Sequence, residues 1–297
     1  MRVVAILGPT ASGKSALSIA LAHALDAEVV NCDSMQLYRG MDIGTAKLRP
    51  AERDGVPHHL LDIWPVTQPA SVAEYQVLAR AAIDGILDQG RTAVLVGGSG
   101  LYVRAVLEEF HFPGTDQSLR ESLEAQLAQV GAAAMHERLQ QADPQAAALI
   151  LPTNGRRIVR ALEVIELTGR PFTAALPEQR RPFYEAVQIA IDRPDLDARI
   201  ARRVEHMWEL GFVDEVRALE KVGLRDGLTA SRALGYQQIL GLLAGECTEQ
   251  EAFDATVTGT RRFVRRQRSW FRRDPSVLWL DGTSPDLIDE ALGAIKS

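Results

Sequence analysis

Two kinds of apolar pattern alternate along the first hundred residues. Val3–Leu7 is a short apolar run rich in branched side chains, the signature of a buried parallel strand. Glu28–Val30 opens a second strand that ends at Asn31-Cys32-Asp33, and Thr92–Val96 is a third, stopped by Gly97-Gly98. Between them, Ala16–Leu25 and Ser71–Asp88 carry apolar residues at helical spacing, and Ser71 with Glu74 three residues on forms a capping box. Residues 40–69 are rich in Gly, Pro and Asp and are expected to be irregular. This alternation predicts a parallel α/β sheet. From about Thr115 to Thr168 the pattern is helical only, over 116–130, 132–142 and 156–168. Strand chemistry returns at Ala186–Asp192, after the Pro- and Arg-rich link RPFTAALPEQRRP. Beyond residue 195 the chain is helical again until a last short strand at Val277–Leu280. The expected architecture is an α/β core, residues 1–112 and 186–297, interrupted by an all-helical insertion, residues 113–185.

Composition changes this picture little. A chain of 297 residues is long enough for about two domains. Its 33 basic and 39 acidic residues leave a net charge of −6, which on average speaks against a nucleic-acid binder. Cys32 and Cys247 are too few for a disulfide framework or a zinc site, and His58 and His59 are adjacent and diverge on any regular element. No apolar run reaches the length of a signal peptide core or a membrane span, so the expectation is a cytoplasmic protein away from membranes.

The strongest chemical signal is Gly8-Pro9-Thr10-Ala11-Ser12-Gly13-Lys14-Ser15, which fits GxxxxGK[ST] directly after a predicted strand and before a predicted helix. Glycines let such a loop wrap an anion with its N–H groups, and the helix N-terminus adds partial positive charge. Lys14 is expected on the outer phosphates and Ser15 on Mg²⁺. The fold class is therefore a P-loop kinase-like α/β core. An ATPase also needs an apolar strand ending in Asp, yet TAVLV ends in Gly97-Gly98-Ser99, and Asp62 follows only two apolar residues. That argues against hydrolysis as the main activity and leaves open a transferase that holds a leaving group.

Asp33 closes the second predicted strand, so it belongs on the same crevice as the phosphate loop. A carboxylate beside phosphates suits a proton acceptor for an attacking nucleophile; the plainer alternative is a cap for the following turn. Ser99 can add a hydroxyl to the crevice, cap a helix over 100–109, or do both. Residues 255–273 hold seven arginines and no acid. At 100° per residue, Arg261, Arg262, Arg265, Arg266, Arg268, Arg272 and Arg273 share one face of about 160°, opposite Phe263, Val264, Trp270 and Phe271. Trp270 is accordingly expected in the core. So dense a set of like charges calls for a polyanion or for outside carboxylates.

Taken in order, GPTASGKS at 8–15, CDSMQLYRGMDIGTAK at 32–47, VPHHLLDI at 56–63, LVGGSGLY at 95–102, RRIVRALEV at 156–164, RALGYQQ at 232–238 and TRRFVRRQRSWFRR at 260–273 resemble the bacterial tRNA dimethylallyltransferases of the IPP transferase family. The resemblance implies prenyl transfer from dimethylallyl diphosphate to N6 of the adenosine at tRNA position 37, 3′ to the anticodon, by a monomer using Mg²⁺. It implies that Thr10–Ser15 hold the diphosphate, that Asp33 is the general base, and that Arg199 helps hold the leaving group. Ser99 stands where the family more often has Thr. Contact with the tRNA anticodon stem-loop is implied for Asp33, Ser34, Met35, Gln36 and Ser99, and for Arg120. The same holds for Arg156, Arg157, Ile158, Val159 and Arg160, and for Arg232, Ala233, Leu234, Gly235, Tyr236 and Gln237. On the arginine helix it extends over Arg265, Arg266, Gln267, Arg268, Ser269, Trp270, Phe271 and Arg272. Two rival enzymes, an isopentenyltransferase acting on free adenine nucleotides and a P-loop nucleoside kinase, would give the basic helix no task. An RNA-binding ATP switch is disfavoured by the missing Asp after TAVLV.

Overall fold

The structure, a computed structural model, describes residues 2–109, 112–172 and 181–296. Residues 173–180, most of the expected link, lie outside the described residues. The chain forms two compact units, one of Met1–Leu107 with Pro182–Ser297 and one of Glu108–Arg181.

The first unit is built on six parallel strands: β1 (Val3–Leu7), β2 (Ala27–Asn31), β3 (His58–His59), β4 (Thr92–Gly97), β5 (Ala186–Asp192) and β6 (Val277–Asp281), in the order β3-β2-β4-β1-β5-β6. Because side chains alternate across a strand, Val3, Ala5 and Leu7 enter one apolar core and Val4 and Ile6 the other. Helices α1 (Lys14–Leu25) and α11 (Leu287–Lys296) cover the second face. The first face is covered by α2 (Val72–Asp88), α3 (Gly100–Leu107), α8 (Phe212–Glu220) and α9 (Tyr236–Leu243). Two longer helices, α7 (Leu196–Glu209) and α10 (Glu249–Phe271), bury Ile200, Val204, Val257 and Val264 with Ala11 in a smaller cluster.

The expected strands all form, and Ser71 caps α2 by accepting from the Glu74 amide at 3.2 Å. The structure adds β3, whose two residues pair with Val29 and Val30 and are too few to show a period. It also moves the edge of the insertion. Pro182–Glu185, expected in the helical part, belong to the α/β unit, and Glu108, Glu109 and Phe112, expected in the core, belong to the helical unit. Phe183 donates its amide to the Leu107 carbonyl at 2.7 Å and lies under the Arg80 guanidinium, while the Tyr184 hydroxyl donates to Asp84 at 2.6 Å.

The second unit holds α4 (Gln117–Ala142), α5 (Pro144–Leu149) and α6 (Gly155–Thr168). The break expected between 130 and 132 is at Gly131, whose φ of 82° interrupts α4. Helix α5, capped by Asp143, is six residues long and escaped the periodicity. Leu123, Leu139, Ile158, Val159 and Leu162 make the core. Among them Glu163, with 0% of its side chain exposed, accepts from the Asp116 amide at 3.2 Å, Arg120 at 2.6 Å and Arg160 at 2.8 Å. Burial pushes its carboxyl up, but the two guanidiniums outweigh that and hold it below the usual glutamate value.

Breaking a buried pair from one side typically costs about 3–5 kcal/mol, so Glu163→Ala should lower stability by roughly 3 kcal/mol in urea unfolding. Since the folded carboxyl titrates below its ordinary value of 4.5, this stabilisation is present above that pH and lost as pH falls through the folded value. The gap between wild type and variant should therefore close in acid.

Candidate active site

In a parallel sheet the carboxyl ends of the strands share one edge, and here they also end in register. Leu7 pairs with both Gly97 and Ala190, and Asn31 pairs with Val96. The loops after β1, β2, β4 and β5 therefore converge on one cleft, about 750 Å³ in volume. Thr10, Ala11, Gly13, Lys14 and Ser15 line it, while Gly8, Pro9 and Ser12 are buried behind. At Gly8, with φ of 126°, a Cβ would collide with the Ile191 carbonyl of β5, so only glycine lets the loop leave the sheet here. Ala11 adopts a left-handed φ of 65°, rare for a residue with a side chain, and its methyl is held in the cluster between α7 and α10.

Lys14, Arg199 and Arg203 share this cleft with Asp33, and Lys47, Arg49, Asp42, Glu52 and Glu215 also line it. Lys14 opens α1 and donates to the Pro9 carbonyl at 2.6 Å. Arg199 donates through Nε to the Ala11 carbonyl at 2.8 Å, and Arg203, one turn on, lines the same wall. Burial, aided by Arg203 and opposed by Asp33, drives Lys14 down to about 7. Burial also lowers Arg203, with Asp33 opposing and Arg199 adding to the shift. Asp33 itself is fixed by local bonds: its amide donates to Asn31 Oδ1 and its Oδ1 accepts from the Met35 amide, both at 3.0 Å. The turn-cap and proton-acceptor readings are thus compatible, because one oxygen caps the turn and the carboxylate still lines the cleft. The Ser99 hydroxyl lies 3.4 Å from that of Ser34 and from the Ser34 amide, so it ties the β4 loop to the Asp33 segment. The Cys32 thiol, pushed up to about 12 chiefly by burial, is inert at neutral pH.

A divalent cation finds few protein donors here. Among the described residues no cluster of three or more His, Cys, Asp or Glu side chains is arranged to hold a metal. Asp62 is taken by Lys47 Nζ at 2.5 Å. The exposed Ser15 hydroxyl at the head of α1 fits one position of a magnesium shell otherwise filled by phosphate oxygens and water.

A family model described as IPP transferase matches residues 36–274. The chain belongs to the IPP transferase family. A tRNA dimethylallyltransferase of Salinispora arenicola (strain CNS-205) is 69% identical over 297 residues, covering 99% of this chain and 86% of that protein. The solved tRNA isopentenylpyrophosphate transferase of Bacillus halodurans is 41% identical with a TM-score of 0.73, over 99% of this chain and 97% of its own. A eukaryotic dimethylallyltransferase acting on tRNA, 24% identical, shares the fold with a TM-score of 0.83 over 100% of this chain and 78% of its own.

For an IPP transferase with this cleft, the expected RNA contacts separate into outward and inward sets. Arg265, Arg266, Ser269, Trp270 and Arg272 of α10 are exposed, as are Arg232, Gln237, Arg156 and Arg157. Ile158, Val159, Ala233, Tyr236 and Phe271 are buried, which turns their side chains to the core. Gln267 is buried too; it joins Thr10 to Gly98. Trp270 reverses the sequence expectation: it is 40% exposed and packs one edge on Gly100, where a Cβ would collide with the indole. Nor are the seven arginines all free. Asp192 at the end of β5 takes Arg268 at 2.7 Å and Arg272 at 3.2 Å, and Asp197 lies 3.9 Å from Arg261. Among the described residues, Arg262, Arg265, Arg266 and Arg273 have no carboxylate partner. In the helical unit Arg120 and Arg160 are held by Glu163.

Sequence reading missed Arg203, although its spacing of four from Arg199 on an amphipathic helix was the signal. It also missed Glu215, which accepts from the amides of Asp42, Ile43 and Gly44 and from the Tyr236 hydroxyl at 2.6 Å, thereby fixing the DIGT loop. No local pattern marks such a long-range cap.

An anion in the cleft favours protonated Lys14, so binding should take up protons above pH 7. The affinity for dimethylallyl diphosphate should fall as pH rises past 7, by up to about tenfold per unit beyond the ligand's own titration. Calorimetry in two buffers of different ionisation enthalpy should register this uptake in wild type. Lys14→Arg should remove it.

Proposed function

We propose that the chain transfers a dimethylallyl group from dimethylallyl diphosphate to N6 of the adenosine at tRNA position 37 and releases diphosphate. The observation that carries this reading is the gathering of Lys14, Arg199, Arg203 and Asp33 in one cleft, at the sheet edge that α10 meets through Gln267. Three cations gathered beside the phosphate loop suit a diphosphate that gains charge as its C–O bond breaks. Lys14 and Arg199 hold that leaving group, with Arg203 beside them. Ser15 would hold Mg²⁺ with the diphosphate oxygens, and the bound ion adds positive charge to the leaving group. N6 of adenine is a poor nucleophile, because its lone pair is delocalised into the ring. As N6 bonds to the allylic carbon, Asp33 accepts the N6 proton.

The adenine cannot react while stacked, so it is turned out of the anticodon loop into the cleft. Exposed Arg265, Arg266, Arg232, Arg156 and Arg157 supply phosphate contacts that position the stem-loop, whereas base contacts near Asp33–Gln36 select the nucleotide. A small nucleotide acceptor would leave these arginines idle, which disfavours the free-nucleotide and kinase alternatives. The reading takes the enzyme as a cytoplasmic monomer; among the described residues no helix is long and apolar enough to cross a membrane.

Incubation with radiolabelled dimethylallyl diphosphate and, separately, AMP, ATP or unmodified tRNA should label the tRNA alone. Asp33→Ala should cut transfer by about 10²–10⁴-fold while tRNA affinity stays within a few-fold. Retained transfer would remove Asp33 as the base.

Charge on the outer face of α10 can be tested through salt. Because Arg268 is engaged by Asp192, the informative pair is Arg265 and Arg266. Changing both to Gln should reduce the slope of log Kd against log salt by roughly 1.5, at about 0.7–0.9 per lost phosphate contact. An unchanged slope would take this face out of the interface.

A further inference from the structure

One turn of α10 has two opposed tasks. Its outer side exposes Arg265, Arg266 and Trp270. Its inner side carries Gln267, only 6% exposed, whose Oε1 accepts the Thr10 amide at 3.0 Å and whose Nε2 donates to the Gly98 carbonyl at 3.0 Å. Thr10 belongs to the phosphate loop after β1, and Gly98 follows β4; both line the cleft, as does Gln267. The fit leaves no slack, since a Cβ at Gly98 would collide with Gln267 Nε2. On the same turn Arg268 grips Asp192 at the end of β5, and Trp270 closes over Gly100. A carboxamide is the side chain that satisfies one donor and one acceptor together, and both of its bonds are spent inward.

We propose that Gln267 is a positioning residue that couples RNA docking on α10 to the diphosphate cleft. The inference rests on the reading of this chain as a tRNA prenyltransferase. RNA phosphates on Arg265 and Arg266 fix the helix from outside, and Gln267 passes that restraint to the loops that hold the diphosphate. Free energies of linkage are reciprocal, so RNA tightens diphosphate binding by the factor by which diphosphate tightens RNA binding.

The test uses the full chain, inorganic diphosphate with Mg²⁺, and an unmodified tRNA anticodon stem-loop. In wild type, saturating stem-loop should tighten diphosphate binding at least about fivefold, the lower end of typical coupling. Gln267→Met, close in volume, should keep stem-loop affinity within twofold and bring the coupling factor to one. It should also raise KM for dimethylallyl diphosphate about tenfold while changing kcat less. Should that variant not fold, Gly98→Ala displaces the carboxamide with Gln267 in place and should abolish the coupling in the same way.

Three results would overturn the inference alone: a wild-type coupling factor of one, full coupling in Gln267→Met, or a large loss of stem-loop affinity with coupling intact. Failure of wild type to bind the stem-loop at all would overturn the functional reading and this inference with it.

Discussion

In an all-parallel sheet every strand delivers its carboxyl end to the same edge, and the pairing of Leu7 with Gly97 and Ala190 brings those ends level. This register puts a phosphate loop, a carboxylate, a serine and the clamp of α10 within reach of one cleft. A slip of one residue in β1 would exchange the faces of Val4 and Ala5 and so disrupt both cores, which is why apolar burial fixes the site geometry so firmly.

Helix α10 closes over that edge because two glycines let it approach. Gly98 gives way to Gln267 and Gly100 to Trp270, so the GGSG segment is shaped by packing as much as by chemistry. Charge is then sorted by depth. Asp192 neutralises the half-buried Arg268 and reaches the exposed Arg272, while Arg265 and Arg266 face solvent without a carboxylate partner among the described residues. The overall charge of −6 conceals this arrangement, because a mean over the chain says nothing about one face of one helix.

The sheet, its helices and the phosphate loop were legible because each is a local pattern of period, cap or spacing. Ser71–Asp88 and Gly131 are cases where a cap and a glycine announced an element and its end. The interior of the arginine helix was less legible. Helical geometry put Trp270 on the apolar side, whereas its indole rests on Gly100 with one edge in solvent. The α10 arginines read as unpaired because Asp192 is distant in sequence from Arg268 and Arg272, which it neutralises. Charge partners made by tertiary folding leave no trace at fixed spacing, and neither does the carboxylate of Glu215 that caps the 42–44 loop.

Ala11 gives the phosphate loop a further property. A residue with a side chain at φ of 65° costs of order 1 kcal/mol relative to relaxed backbone, and persists where its surroundings over-determine it. Here the buried methyl and the Arg199 bond to its carbonyl do so. The loop therefore carries its strain before any ligand arrives, and the anion meets a shape already made. At this one residue the conformational cost of binding is therefore charged to folding.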